Sequence, residues 1–425
     1  MKGKRYASVT AREARLALWM LLPAFLIVFA VIVFPVVANF WISGKSVSLG
    51  DLRPATPSLR EFVAQAPSEA GDELVLEYRL RNSSRGVPIQ DVVLEATVPE
   101  GLSPAPNDAP AAPDAQHCSI EAGRIECRWD EWEGGFSDTI TFTFIADQAF
   151  FDAQVDMRSP TEADISGRSI NVLTTFDFTL DNFRFVVSAR RFWEVLRTTF
   201  AYPFLGAIGS ILLGLTAAML LNRKFPGQTL LRGLYLFPYV APIIAVAFTW
   251  VFLLEPFRGT LNTYLMSIGV LESPISFLST RSIQIGDLPF PLALSIVIFF
   301  DAWRYFPFSF LFILARLQAI PSDLYESVEV DGGGMVRQFI SITLPQLHSV
   351  ITTLFLLRFM WTFNKFDDVF LLTGGAAGTR TLPIQVYDNA FGRGDIGAGA
   401  ATAVVLFLFL AVFLILYFRY VVKED

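Results

Sequence analysis

Charge is scarce in this chain: only 17% of its 425 residues are Asp, Glu, Lys or Arg, where a soluble protein of that length carries roughly a quarter. Histidine is scarcer still. His117 and His348 stand alone, so no zinc motif can be assembled, and each reads as a surface or packing residue and not as a ligand or base. No G-x-x-x-x-G-K-[ST] phosphate loop occurs, since Gly332-Gly333-Gly334 lacks a following Lys-Ser/Thr at the required distance. No basic cluster interleaved with aromatics stands out, which argues against a nucleic-acid partner. A clustered acid, base or metal constellation is missing as well, which argues against a membrane-bound enzyme. The chain is expected to hold no metal and no cofactor of its own. The two cysteines, Cys118 and Cys127, suit a disulfide across a hairpin in an oxidising compartment, or two reduced thiols in a strand pair otherwise.

What abounds is apolar length. Hydrophobic residues make up 53% of the chain, with 41 Phe, and the mean hydropathy is +0.48. Six runs of bilayer-spanning length alternate with short charged pieces: Leu16 to Ile42, Thr198 to Leu221, Leu234 to Leu254, Leu292 to Leu314, Val350 to Leu372 and Ala398 to Val421. The first follows a basic tail, residues 1–15, with Lys2, Lys4, Arg5, Arg12 and Arg15. It far exceeds the ~7–15-residue core of a cleaved signal peptide and offers no convincing cleavage site, so it is expected to remain as an anchor. Arg223, Lys224 and Arg232 follow the second run, Arg316 and Arg337 the fourth, and Arg419 and Lys423 the sixth. The positive-inside rule then places both termini in the cytoplasm and the segment from Lys45 to about Arg191 outside. Trp41, Trp193 and Trp250 fall near run ends, where amphipathic rings favour the interface. A pore-free bundle of anchors would show the same topology.

Residues 45–170 differ from the rest: acidic residues outnumber basic ones more than two to one between Asp51 and Leu180. Glu73 to Arg81, Asp91 to Val98 and Asp138 to Ile145 alternate polar and apolar residues at period two. Pro99-Glu100-Gly101, Glu121-Ala122-Gly123 and Gly134-Gly135 supply turns, while Pro54 to Pro67 and Pro104 to Pro113 read as loops. Short strands and turns at this spacing predict a small all-β sandwich inserted after the first span. The run from Tyr78 through Asn82, Pro99 to Leu102, the two cysteines and Thr141 to Phe144 resembles the immunoglobulin-like repeats of bacterial surface proteins. That resemblance implies a binding or spacing module, the spacer being the simpler reading.

The most informative stretch runs from Ile320 to Pro345, IPSDLYESVEVDGGGMVRQFISITLP. It predicts a short helix after Pro321 with Ser322 as N-cap, Tyr325 in its first turn, and Glu326 and Glu329 on one face. A glycine break follows, then a second helix ending near Pro345. This stretch resembles the EAA loop of ABC-importer permeases: Glu-Ala-Ala, three residues, Gly, nine residues, Ile-x-Leu-Pro. Glu326, Gly332, Ile342, Leu344 and Pro345 keep that spacing, while Ser327 and Val328 replace the two alanines. The resemblance implies that Tyr325, Glu326, Ser327, Val328, Asp331, Gly332, Gly333, Leu344 and Pro345 couple the chain to a nucleotide-binding subunit.

Further matches narrow the resemblance to the carbohydrate, maltose-transporter-like type. They include Leu180-Asp181-Asn182-Phe183, Arg232 to Pro238, Gly259 to Asn262, Phe363 to Asp367, Leu372 to Gly375, Thr381 to Pro383 and Tyr387 to Phe391. That family's large external domain lies between later spans, so its role does not transfer to this insert. The resemblance implies an all-α polytopic membrane protein of ABC importer type I, with its permease core in residues 171–425. It also implies a second permease, two cytoplasmic ATPase subunits carrying ATP and Mg, and an external solute-binding protein, within membrane lipid.

Polar groups inside spans are costly and tend to face a cavity. Asn364, Lys365, Asp367 and Asp368, near the outer half of the fifth span, fit that expectation. So do Asp301 and Arg304, one turn apart and able to form an ion pair. Trp303, Tyr305, Trp361, Asn364 and Tyr387 offer the aromatic faces and directional hydrogen bonds that suit a sugar. The alternative is packing against a partner permease. Two other functions fit less well: an ion-coupled carrier would need internal repeats paired with broken helices at the midplane, and no such pairing is seen, and a scaffold would only display the outer domain.

Overall fold

The structure is a computed structural model that describes residues 3–84, 86–105, 118–121, 123–153 and 155–421, with backbone alone for residues 3–12 and 15. Lys2, His117, Lys423 and most of the loop expected at Pro104 to Pro113 lie outside the described residues. The chain divides into two compact units, Met1–Asn182 with Arg393–Gly397, and Phe183–Gly392 with Ala398–Asp425.

In the first unit, α1 (Gly3–Val28) and α2 (Phe34–Ser43) are joined by a π-helical turn at Phe29–Val33. Pro35 lacks an N–H, and the wider turn just before it keeps the helix continuous. Leu16–Ser43 passes as one apolar span and is unburied within the chain. Eight strands follow: β1 (Pro57–Gln65), β2 (Glu73–Asn82), β3 (Ile89–Thr97), β4 (Leu102–Pro104), β5 (Cys118–Glu121), β6 (Arg124–Trp132), β7 (Ser137–Ala146) and, after the short helix α3 (Gln148–Asp152), β8 (Asp164–Ser169). They form two antiparallel four-stranded sheets, ordered β1-β2-β7-β4 and β5-β6-β3-β8. Alternate residues of the central strands share one core: Leu74, Leu76, Tyr78 and Leu80 from β2, Val92, Leu94 and Ala96 from β3, Ile140, Phe142 and Phe144 from β7. Trp132 stacks on Phe136 beside them, with ring centroids 4.5 Å apart.

Several expectations need correction here. Residues 57–65 are a strand and not loop. As a sheet edge with one face half-buried, β1 needs few large apolar residues, so its pattern is weak. β8 was not read from the sequence for the same reason. β3 starts at Ile89 with a bulge, where Asp91 takes a φ of 51° and the pairing shifts between Gln90 and Val93. A disulfide joins Cys118 and Cys127 across the β5–β6 hairpin.

The second unit is helical. α4 (Asp181–Ser188) leads into α5 (Phe192–Leu221); then come α6 (Gln228–Tyr235), α7 (Phe237–Val240), α8 (Ile243–Leu253) and α9 (Thr260–Ser267). A hairpin of β9 (Ile283–Ile285) and β10 (Leu288–Phe290) precedes α10 (Leu292–Gln318). α11 (Ser322–Val330), α12 (Met335–Gln338) and α13 (Leu344–Phe363) follow, then α14 (Asp367–Thr373), α15 (Leu382–Tyr387) and α16 (Ile396–Tyr420). α5 packs tightly on α10 through glycines: a Cβ on Gly214 would lie 2.7 Å from the Phe310 nitrogen, and one on Gly206 2.5 Å from the Asp301 carboxylate.

Among the described residues five helical spans are long and apolar enough to cross a membrane, or six if a broken pair counts as one. That pair is the expected third span, Gln228–Val240 and Ile243–Leu253, bent by 90° at Ala241-Pro242. The sequence reading of Leu234 to Leu254 as one continuous run is thus corrected: Pro242 supplies no N–H to continue the ladder. Trp250, three residues before the end of α8, packs against Phe300 and Trp303 at centroid distances of 5.3 and 5.4 Å. Trp193 is 72% exposed at the start of α5.

Candidate functional site

Two features of the helical unit concentrate the chemistry. The first is a buried charge cluster where α5, α10, α13 and α14 meet. Asp301 on α10 is fully enclosed and accepts a 2.7 Å bond from Arg358 on α13, itself 1% exposed. Thr362 donates weakly to the same carboxylate at 3.4 Å. Lys365 lies 3.9 Å from Asp301 and pairs closely with Asp368, which also accepts from the Tyr202 hydroxyl at 3.3 Å. The Arg358 guanidinium and Lys365 ammonium sit over the Tyr305 ring, 4.1 and 3.8 Å from its centroid. Two acids and two bases thereby compensate one another in a dry interior, where an unpaired member would be costly.

A cavity of about 490 Å³ opens beside this cluster, lined by Tyr305, Arg358, Trp361, Asn364, Lys365 and Asp367, among others. Of the pathway residues expected from the sequence, it gathers Tyr305, Trp361, Asn364 and Asp367. The others lie elsewhere. Asp301 is enclosed in the charge cluster, Trp303 packs on Trp250, and Tyr387 packs against Phe366, Phe370 and Phe391. The expected Asp301–Arg304 pair does not form: Arg304 donates to the carbonyls of Pro238 and Ala241 at 3.3 and 3.0 Å. These acceptors end α7 at the broken span, where a cation offsets the carbonyl dipoles. The fifth span ends at Phe363, so Asn364 and Lys365 occupy the break before α14, and Asp367 and Asp368 open that helix. Arg358 was missed by sequence reasoning, although a lone arginine within Val350 to Leu372 is itself a signal.

The second feature is an elbow between α10 and α13. Pro321 and not Ser322 is the N-cap of α11; Ser322 is already helical and makes no capping bond. Gly332, at φ 76°, turns the chain, and the Gly333 amide bonds the Val328 carbonyl at 2.8 Å. Gly333 lies close against Val328, whose methyl a Cβ would meet at 2.5 Å. Tyr325 and Val328 face inward onto a core that includes Leu317, Ile320, Ile342 and Leu347. The Tyr325 hydroxyl lies 3.0 Å from that of Thr343, and Gln338 bonds Glu329 at 3.0 Å.

Glu326, Ser327, Asp331, Leu344 and Pro345 are exposed, and so are apolar Val330 (87%), Met335 (73%) and Val336 (73%). The second helix does not end at Pro345. A π-helical turn at Phe339–Thr343 admits the proline at the start of α13, so the elbow continues into the span. His348 is exposed on α13. Among the described residues no group of three His, Cys, Asp or Glu could hold a metal.

The model of a family described as binding-protein-dependent transport system inner membrane component matches residues 210–423. The trehalose/maltose transport system permease protein MalF of Thermococcus litoralis is 36% identical over 241 residues, 56% of this chain and 78% of that protein. The inner membrane ABC transporter permease protein YcjO of Escherichia coli K12 is 34% identical, over 56% of this chain and 78% of its own length. A bacterial ABC transporter that imports the acidic polysaccharide alginate has a similar fold: TM-score 0.50 at 20% identity, covering 59% of this chain and 86% of the other. The matches to MalF and YcjO cover little more than half of this chain, as does the family model.

Proposed function

The chain belongs to the family of binding-protein-dependent transport system inner membrane components, and from that premise we propose that it forms half of the translocation pathway for a sugar, oligosaccharide or related polyol. It is a multi-pass inner-membrane permease subunit of an ABC importer with a type I fold. A second permease, two ATPase subunits holding ATP and Mg, and an external binding protein complete the machine. In this reading both termini and the elbow face the cytoplasm, and the β unit, an immunoglobulin-like sandwich acting as a spacer, faces outward. The chain does no covalent chemistry: it offers two conformations whose balance the ATPase subunits shift.

One observation carries the reading. The elbow presents Val330, Met335 and Val336 to solvent, while Tyr325 and Val328 lock it to the core that α10 and α13 share. An apolar projection so anchored passes a push at its tip directly into two spans. Support for a sugar comes from the named substrates of its relatives and from Tyr305, Trp361 and Asn364 lining one cavity. The test is a cysteine at Val336 in the co-expressed assembly. It should crosslink to an ATPase subunit, and a panel of carbohydrates with the binding protein should stimulate ATP hydrolysis. An elbow that reacts only with external thiol reagents would overturn the reading.

A further inference from the structure

We propose that the outer end of the α5–α10 seam is a binding site for an anionic glycerophospholipid, with its phosphate on Arg197 and Arg281 and an acyl chain in the groove below. The site is independent of which solute is carried, and rests on the proposed orientation only for the choice of leaflet.

A cavity of about 610 Å³ lies along this seam. On α5 its wall is a ladder four residues apart: Trp193, Arg197, Ala201 and Leu205. At ~1.5 Å per residue that ladder descends about 18 Å, from headgroup depth well into the hydrocarbon. On α10 the facing wall is Leu294 and Ile298, again one turn apart. The groove is thus polar and cationic at its top and apolar below. Trp193, 72% exposed, stands at the rim, where an indole favours the bilayer interface.

Charge decides what fits the top. Arg281 bonds Glu194 at 2.7 Å and remains 62% exposed, so it is held in place with donors to spare. Gly378, at φ 80°, lets Arg281 lie along the adjoining loop, where a Cβ would sit 3.3 Å from its side chain. The Arg197 side chain makes no hydrogen bond or ion pair among the described residues, and neither does that of Arg191, which lines an adjoining cavity of about 440 Å³ with Arg281 and Arg380. Arg380 is paired with Asp388 at 2.8 Å, and Arg191, Arg197 and Arg281 against the one Glu194 leave excess positive charge above an apolar slot. A soluble sugar has no use for the slot, and a zwitterionic lipid gains little from the charge. A phosphodiester carrying net negative charge and acyl chains uses both.

The test uses the full chain purified in detergent, exposed to phosphatidylglycerol or phosphatidylcholine, with bound lipid counted by native mass spectrometry. Phosphatidylglycerol should be retained preferentially. Arg197→Gln, at an exposed position without a partner, should lower that preference about fivefold, the equivalent of ~1 kcal/mol per basic residue near an anionic surface. Arg197→Gln with Arg281→Gln should nearly abolish it, and Arg258→Gln, a matched loss of charge outside the groove, should leave it unchanged. Equal retention of both lipids, or the same loss in Arg258→Gln, would overturn the proposal. So would displacement by millimolar glycerol 1-phosphate, which marks a site for soluble anions. An elbow found outside the cell would move the site to the other leaflet and leave these readouts intact, so the two failures are separable.

Discussion

At the scale of single residues, the buried charges are the most exposed to substitution in energetic terms. Asp301 balances Arg358 at 2.7 Å with neither reached by solvent. Asp301→Asn should therefore strand a buried guanidinium and cost about 3–5 kcal/mol, measured as unfolding in detergent. The double variant Asp301→Leu/Arg358→Met should cost less than either single change, because no charge is left unmatched. Asp51 in the first unit behaves differently. Burial pushes its carboxyl up, but hydrogen bonds from the Ser48 and Ser84 side chains and the Ser48 amide outweigh that and hold it below the ordinary range. A depressed value means stability that is present above the unfolded value of about 3.9 and is lost as pH falls through the lower folded value. Acid unfolding of the full chain should show this loss below about pH 4, and Asp51→Asn should flatten it.

At the scale of elements, breaks in helices recur at the buried charge cluster, the cavity and the elbow. The third span bends by 90° at Ala241-Pro242, and the carbonyls it frees are taken by Arg304. The fifth span stops at Phe363, and the three residues between it and Asp367 bring Asn364 and Lys365 to the cavity. The elbow turns on Gly332, whose φ of 76° suits glycine alone at low cost. Gly332→Val should introduce about 1–2 kcal/mol of local strain. Because the residue is exposed with open space around a Cβ, the chain should still fold and assemble. Solute-stimulated ATP hydrolysis should fall while basal hydrolysis persists, as read in proteoliposomes.

At the scale of the whole molecule, the β unit is built so that it can be removed cleanly. Its two ends meet: the Ser169 hydroxyl donates to the Ala55 carbonyl at 2.6 Å. Its core is its own, drawn from both sheets. Replacing residues 56–168 with a short Gly-Ser linker should therefore leave the helical unit folded. If the domain is a spacer, solute-stimulated uptake in the reconstituted assembly should survive the excision. Loss of uptake with normal assembly would give the domain a direct part in delivery.

The amino-acid order alone determined where the apolar spans lie, though not the break in the third or the end of the fifth, together with the elbow and its spacing and three of the strands, because each is written in local periodicity or in a motif with fixed intervals. Glu326, Gly332 and Pro345 could be placed on one elbow without coordinates. Tertiary structure decided the rest. Whether Asp301 pairs with Arg304 one turn away or with Arg358, 57 positions along the chain, depends on which faces α10 and α13 present to each other. β1 and β8 carry weak patterns because neighbouring strands, not their own side chains, hold them in place. The cavity gathers Tyr305 from one helix and Trp361 from another, and a contact of that kind has no period in sequence. Local rules name the elements; only packing chooses the partners, since the energy of a buried charge is set by what lies across the interface and not by what lies beside it in the chain.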